Sequence, residues 1–355
     1  MTEFITDVVD PARLTGYVRA AVDGMLPFGG LLPARNVDDI EYEISQIDTT
    51  GAGQVARYRS WDTAPPLGKR PGIAIIGGEI PPLGLSMRLN EKDIIRLNKI
   101  RAGIAERSDQ GVVETIYGDA VNTAAAVQNR VTIAHGDLLT TGSVTLTELG
   151  DVEDPETNAV VATFDVPGTQ MGVTPAGAVW SNHAAAVPVF DLKAWEAEYR
   201  RNNGGRNPDA WGISSEIMAD LVLNTQIRNL APVMGTIPGI ISEATVAQVL
   251  RAAGVNAPLV VMNDVERPAL DGSGVGRVID ERKVIGLRAG IGATLFGITP
   301  NAATLAGNGR IAFRDAPGIV AFVQQSVRPA AIMTTAEGVV LPVLTDPNGL
   351  FVATV

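Results

Sequence analysis

Apolar residues recur every three or four positions from Val113 to Leu138, through Ile116, Tyr117, Ala120, Val121, Ala124, Val127, Val131 and Ala134. That period puts them on one face of a helix of about 25 residues, about 37 Å long. A shorter helical face precedes it: Ile94, Leu97, Ile100 or Arg101, and Ile104. Asn90 opens that face and Asp93 follows three residues later, the spacing of a capping box. Near the N-terminus one helix is predicted from Pro11 to Asp23, with Asp10 as N-cap and Pro11 at the first helical position. Three later helices are predicted by their caps. Asp191 precedes "LKAWEAEYRRN", Ser214 or Ser215 precedes "EIMADLVLN", and Ser242 precedes "EATVAQVLRAAG", which stops at Gly254.

Strand patterns fill the rest. "DIEYEISQI" and "QVARYRSWD" alternate, the second with Val55, Arg57 and Arg59 on one side. The turn-rich "TAPPLGKRPG" follows and "IAIIGGEI" comes back, so a long hairpin is expected. Its legs carry too little apolar content for a core of their own and need a partner surface. "SVTLTEL" and "AVVATFDVP" read as strands around the acidic loop "GDVEDPETN". "APLVVMND" reads as a buried strand, and "VVLPVLTDPNGLFVATV" as a terminal hairpin. Asp346-Pro347-Asn348-Gly349 fits its type I turn. The segment "GMLPFGGLLPARNVDDIEYEI" is broken by Pro27, Gly29, Gly30 and Pro33 and reads as an arm lying against something else. The fold class is α+β, with no internal repeat.

Composition narrows the function. An apolar fraction of 46% supports a substantial core, and 38 glycines and 22 prolines spread along the chain mean many turns. Net charge is −11 and no Lys/Arg run exists, which argues against a protein that grips nucleic acid. The absence of cysteine excludes disulfides and thiolate metal sites. The acidic start "MTEFITDVVDPARLTG" lacks the pattern of a secretory signal, and no apolar run reaches the ~20 residues of a membrane span. A soluble, cytoplasmic product is expected.

No catalytic constellation rises above background. Gly77-Gly78 follows the apolar Ile73–Ile76, as in many phosphate loops, but no helical pattern begins until Asn90 and the anion-binding helix is missing. "DGSGVGR" (271–277) has no helix after it either and reads as a glycine-rich turn. His135 reads as a polar residue near a helix end and His183 as a loop residue. Neither lies in a metal-binding spacing, and no G-x-S-x-G elbow appears. No cofactor, metal or catalytic residue is assigned.

Four stretches, in this order, resemble the tailed-phage major capsid proteins, most closely the lambda-type capsid protein E family. They are "LPFGGLLPARNVDDIEYEI", "PGIAIIGGEIPPLGLSMRLNEKDIIRLN", "RVIDERKVIGLRAGIGATLFG" and "VVLPVLTDPNGLFVATV". The resemblance spans nearly the whole chain and rests on order and spacing. It implies an N-terminal arm (1–45), an extended E-loop (46–90), a P-domain with the spine helix (91–207, with 318–355 returning to it) and an A-domain (208–317). It implies no enzyme but a shell subunit forming hexamers and pentamers of an icosahedral head around double-stranded DNA. Its partners would be other copies of itself in neighbouring capsomers, a scaffold, a portal and a decoration protein, with no membrane. The virion capsid, assembled in the host cytoplasm, would be its location. Arg57, Arg59, Lys69, Arg70, Gly77 and Gly78 are the candidate assembly residues. Gly77 and Gly78 would let the returning leg of the E-loop bend, and Pro81-Pro82 would stiffen its junction. Some relatives cross-link an E-loop lysine, but an ordinary ion pair is the better reading of Lys69. An encapsulin-like nanocompartment shell and, on the glycines alone, a nucleotide-binding enzyme are the alternatives.

Overall fold

Asp10 begins the first helix as its sequence suggests. In the computed structural model its carboxylate accepts from Ala12 N at 3.1 Å, and its carbonyl accepts from Leu14 N at 2.9 Å. The structure describes residues 2–4, 10–22, 24, 26–47, 58–59, 61, 73–89, 91–102, 111–146, 160–231, 241–269, 274–311, 317–327 and 330–355.

The first part of the chain runs β1 (Thr2–Phe4), α1 (Pro11–Val22), β2 (Ala34–Asn36), β3 (Glu41–Ile47), β4 (Ile73–Glu79), β5 (Pro82–Arg88), α2 (Glu91–Arg101) and α3 (Gly111–Thr141). Next come β6 (Ser143–Leu146), β7 (Val160–Thr163), α4 (Pro188–Asn202), β8 (Ala210–Ile213), α5 (Ser215–Leu223), α6 (Thr225–Leu230) and α7 (Glu243–Ala252). The last part holds β9 (Leu259–Val261), β10 (Glu266–Pro268), β11 (Val275–Arg277), β12 (Lys283–Leu287), β13 (Gly292–Gly297), α8 (Pro300–Gly307), β14 (Val320–Val327), β15 (Ala330–Leu344) and β16 (Phe351–Thr354). Contacts divide the chain into two units: 1–42, 77–134 and 293–342 in one, and 43–76, 135–292 and 343–355 in the other.

The first unit is built on a sheet in the order β1-β14-β15-β13-β2, with β5 also on β15. Strand β14 carries alternating residues to opposite faces. Ile319, Ala321 and Val323 face α1 and α3, where Leu14, Val18, Val22, Ile116, Ala120 and Ala124 are buried. Val320 and Phe322 face α8, against Ala302 and Leu305. The layers are therefore helix, sheet, helix, and each face of β14 is apolar for that reason. The alanines of α3 let its backbone approach the sheet closely. At 31 residues α3 is about 46 Å long, longer at both ends than its apolar period indicates. Its buried threonines do not break it, because Thr123 and Thr132 donate to the carbonyls four residues back.

The second unit holds a sheet in the order β16-β12-β8-β9, with β12 antiparallel to both neighbours and β8 parallel to β9. Its core is aromatic. Trp180 and Trp195 stack with centroids 5.5 Å apart, and Trp211 meets Phe351 edge to face at 5.4 Å. Ser214 caps α5 by accepting from Ile217 N, and Ser242 caps α7 by accepting from Thr245 N. Gly254 follows α7 with φ +91°, the left-handed geometry that ends a helix. Strands β6 and β7 pair antiparallel around the acidic segment 147–159, which lies outside the described residues.

Three expectations need correction. Asp191 is not a cap: α4 starts at Pro188, and the Asp191 carboxylate instead accepts from Trp180 Nε1 and Ala176 N, both at 2.9 Å. The terminal segment is not a hairpin. The turn forms, with Gly349 N donating to Asp346 O at 3.0 Å, but β15 and β16 belong to different sheets. Strand β9 is not buried: among the described strands it is the last of its sheet, and Val260 and Val261 are exposed.

Candidate functional site

Strand β4 runs through Gly77 and Gly78 rather than ending at them, and it pairs with β3 as a two-stranded ribbon. Neither glycine has a positive φ. A Cβ on Gly78 would lie 3.3 Å from Tyr42 Cε1, so the missing side chain is what lets the Tyr42 ring lie over the strand. Tyr42 is buried there, and burial pushes its phenol pKa up. Gly77 and Gly78 are exposed, as is Arg59 in a separate stretch. Arg57, Lys69 and Arg70 lie outside the described residues. Strand β5 then starts at Pro82 on the sheet of the first unit, opposite Val339.

In the first unit a cleft of about 480 Å³ opens beside the edge strand β2. Its apolar walls include Val22, Leu26, Phe296 and Ile319, and its polar lining includes Arg19 and Gln128. Arg19 sits on α1 and its guanidinium is fixed by two backbone carbonyls: Nε donates to Ile319 O and Nη2 to Pro317 O, both at 2.9 Å. Gly318 between them has φ +104°, and a Cβ there would lie 3.4 Å from Arg19 Nη2. Gln128 sits on α3, 8% exposed, and its Oε1 has no hydrogen-bond donor. A buried acceptor without a donor is uncommon and calls for a reason. Sequence periodicity marked the Val127 and Val131 face of α3 but not Gln128, because a single polar residue beside an apolar stripe carries no signal of its own.

The ionisable groups of the second unit form structural networks. Arg277 donates to Glu216 at 2.5 Å and Asp264 at 3.0 Å. Burial alone would lift the Asp264 pKa. The hydrogen bonds from Ser215 and the Arg277 guanidinium outweigh that and hold it below the usual carboxylate range. His183 lies in a turn, as its sequence suggests. Its Nε2 lies 2.9 Å from Asp220 Oδ1, and Arg282 takes the other Asp220 oxygen at 2.5 Å. With Arg282 on the same carboxylate, the pair reads as an ion-pair bridge between α5 and the turn before β12. His135 lies near the end of α3, as its sequence suggests, but it is buried, and burial lowers its pKa to about 4, so it is neutral at pH 7. Among the described residues no group of three or more His, Cys, Asp or Glu could hold a metal ion. No described helix is long and apolar enough to cross a membrane.

No family model and no curated protein matches the chain by sequence. Solved structures match it by fold. A protein described as the capsid protein of a prophage of E. coli CFT073 aligns over 100% of this chain and 99% of its own, with TM-score 0.58 and 12% identity. A phage-related protein from Bordetella bronchiseptica RB50 aligns over 96% of this chain and 95% of its own, with TM-score 0.51 and 11% identity. The fold is the α+β fold of tailed-phage major capsid proteins, as the four sequence stretches suggested.

Proposed function

We propose that the chain is the major capsid protein of a tailed phage of the lambda type, a structural subunit that assembles with copies of itself into hexamers and pentamers of an icosahedral head. The observation that carries this is the end-to-end fold match to a prophage capsid protein, 100% of one chain against 99% of the other. In this reading 1–45 is the N-terminal arm, 46–90 the E-loop, 91–207 with 318–355 the P-domain and 208–317 the A-domain. Arg57, Arg59, Lys69, Arg70, Gly77 and Gly78 would lie where the E-loop meets neighbours. The β3–β4 ribbon supports this: two strands alone are marginal in water and gain stability from a surface to lie on. A shell subunit needs heterologous contacts that close into rings. The net charge of −11 would keep the wall from adhering to enclosed DNA. A scaffold and a portal complete the assembly, and no reaction is assigned to the chain.

Negative-stain electron microscopy tests the reading, on the protein expressed alone and with its neighbouring genes. Icosahedral shells, or rings of five and six, are expected. Uniform monomers or dimers under both conditions would overturn it. Shells that hold enzymes rather than DNA would move it to a cellular nanocompartment.

A further inference from the structure

Trp61 is 94% exposed, and Tyr58 three residues before it is fully exposed. An indole left in water forfeits a large burial energy, and Trp is the residue most enriched among the anchors of protein interfaces. Indole carries one donor, Nε1–H, and no acceptor. The cleft beside β2 offers the converse: apolar walls, a guanidinium held flat by backbone carbonyls, and a buried acceptor, Gln128 Oε1, that lacks a donor.

We propose that the cleft bounded by α1, α3 and β2 receives Trp61 of a second copy of this chain. This rests on the shell reading above and names the contact through which one subunit grips the next. The indole ring would lie against Val22, Leu26, Phe296 and Ile319, with the Arg19 guanidinium against its face. Turned about χ3, the Gln128 carboxamide would present its oxygen, buried and without a donor as it stands, to the indole N–H. At about 480 Å³ the cleft has room for the ring and the backbone beside it. Strand β2 is the last strand of its sheet among those described, which leaves the cleft's outer side open. The charges agree as well. Asp38 and Asp39 are exposed just beyond β2, while Arg59 stands two residues before Trp61.

The other three tryptophans are buried, so quenching of fluorescence by acrylamide reports Trp61. Dilute subunits are expected to be readily quenched. Assembled shells are expected to resist quenching several-fold better and to emit further to the blue. Shells in which Trp61 stays as quenchable as in the subunit would overturn the inference and leave the capsid reading standing. So would protection already present in dilute subunits and independent of concentration. Failure to form any shell would instead sink the capsid reading itself.

A second test needs no fluorescence. Trp61→Phe removes the donor and Gln128→Leu removes the acceptor. Each should raise the concentration needed for assembly about tenfold, and the double variant should be little worse than either, because both changes break one bond. Strict additivity would overturn the pairing. The chain has no cysteine, so Trp61→Cys and Ala34→Cys chains can be mixed, co-assembled and oxidised. A disulfide between the two variants is expected, and its absence from intact shells would count against the site.

Discussion

The chain has four tryptophans and places them in opposite environments. Trp180, Trp195 and Trp211 form one cluster with Phe351 and are at most 4% exposed. Trp61 stands in solvent. The buried group is wired as well as packed. Asp191 accepts the Trp180 indole N–H, and Glu196, one residue after Trp195, accepts from Asn256 N at 2.9 Å and Ala257 N at 2.8 Å. Trp180 and Glu196 have named partners inside that core, although Trp211 Nε1 is buried without one, whereas Trp61 has no packing around it at all. In the proposed reading, the contrast in burial separates what holds one subunit together from what it keeps for a neighbour.

The largest expected effect follows from cutting the cluster. Trp195→Ala removes a ring that touches Trp180, Trp211 and Phe351 and leaves a cavity in a close-packed core. A loss of about 3–5 kcal/mol is expected in chemical denaturation of the subunit. A loss below 1 kcal/mol would mean that the cluster does not anchor this unit.

Glu196→Ala should come next. It keeps the rings but leaves the N–H groups of Asn256 and Ala257 and the Asn256 amide without their acceptor. A cost of about 1–3 kcal/mol is expected, since the buried Ala257 N–H left unpaired loses its full solvation while the exposed Asn256 groups turn to water. Glu196→Gln, which retains one acceptor oxygen, should recover at least half of it. Equal losses in both variants would show that charge, not hydrogen bonding, matters at this position.

Two glycines carry the same contrast down to one methyl group. A Cβ on Gly286 would lie 2.7 Å from Trp211 Cζ3 and 3.0 Å from Phe351 Cβ, inside a core that cannot yield. Gly286→Ala should cost about 1–3 kcal/mol. On Gly78 the nearest atom is Tyr42 Cε1 at 3.3 Å, a ring edge on an exposed ribbon, and Gly78→Ala should cost under about 1 kcal/mol. The reverse order would mean that the ribbon is packed more tightly than the core.

Features read correctly from the sequence are the local ones. Asp10 with Pro11, Ser214, Ser242 and Gly254 act within four residues of themselves, so their chemistry is written in the chain around them. The 346–349 turn is local in the same sense. The errors involve distant partners. Asp191 looked like a cap because its environment, Trp180 packed above it, is set by tertiary structure. The terminal strands looked like a hairpin because the turn is genuine, yet β16 pairs with β12 rather than with β15. What Gly78 accommodates is Tyr42, from the facing strand's own start, a pairing the local sequence does not show. The cleft was not legible at all, since its lining comes from α1, the segment after it, β2, α3, β13 and the turn before β14.

The smallest expected effect is the most informative. In the dilute subunit Trp61→Ala should change stability by less than about 0.5 kcal/mol, because a side chain 94% exposed has no packing to lose. Placed beside Trp195→Ala, the same deletion of an indole then differs by several kcal/mol in one chain, and the difference is set by burial alone. If Trp61→Ala destabilises the isolated subunit by 2 kcal/mol or more, the ring is already buried within its own chain and is not held for a neighbour. If the subunit is unaffected while assembly weakens, the energy of that ring belongs to the contact between copies, where a shell subunit that must remain soluble before assembly would keep it.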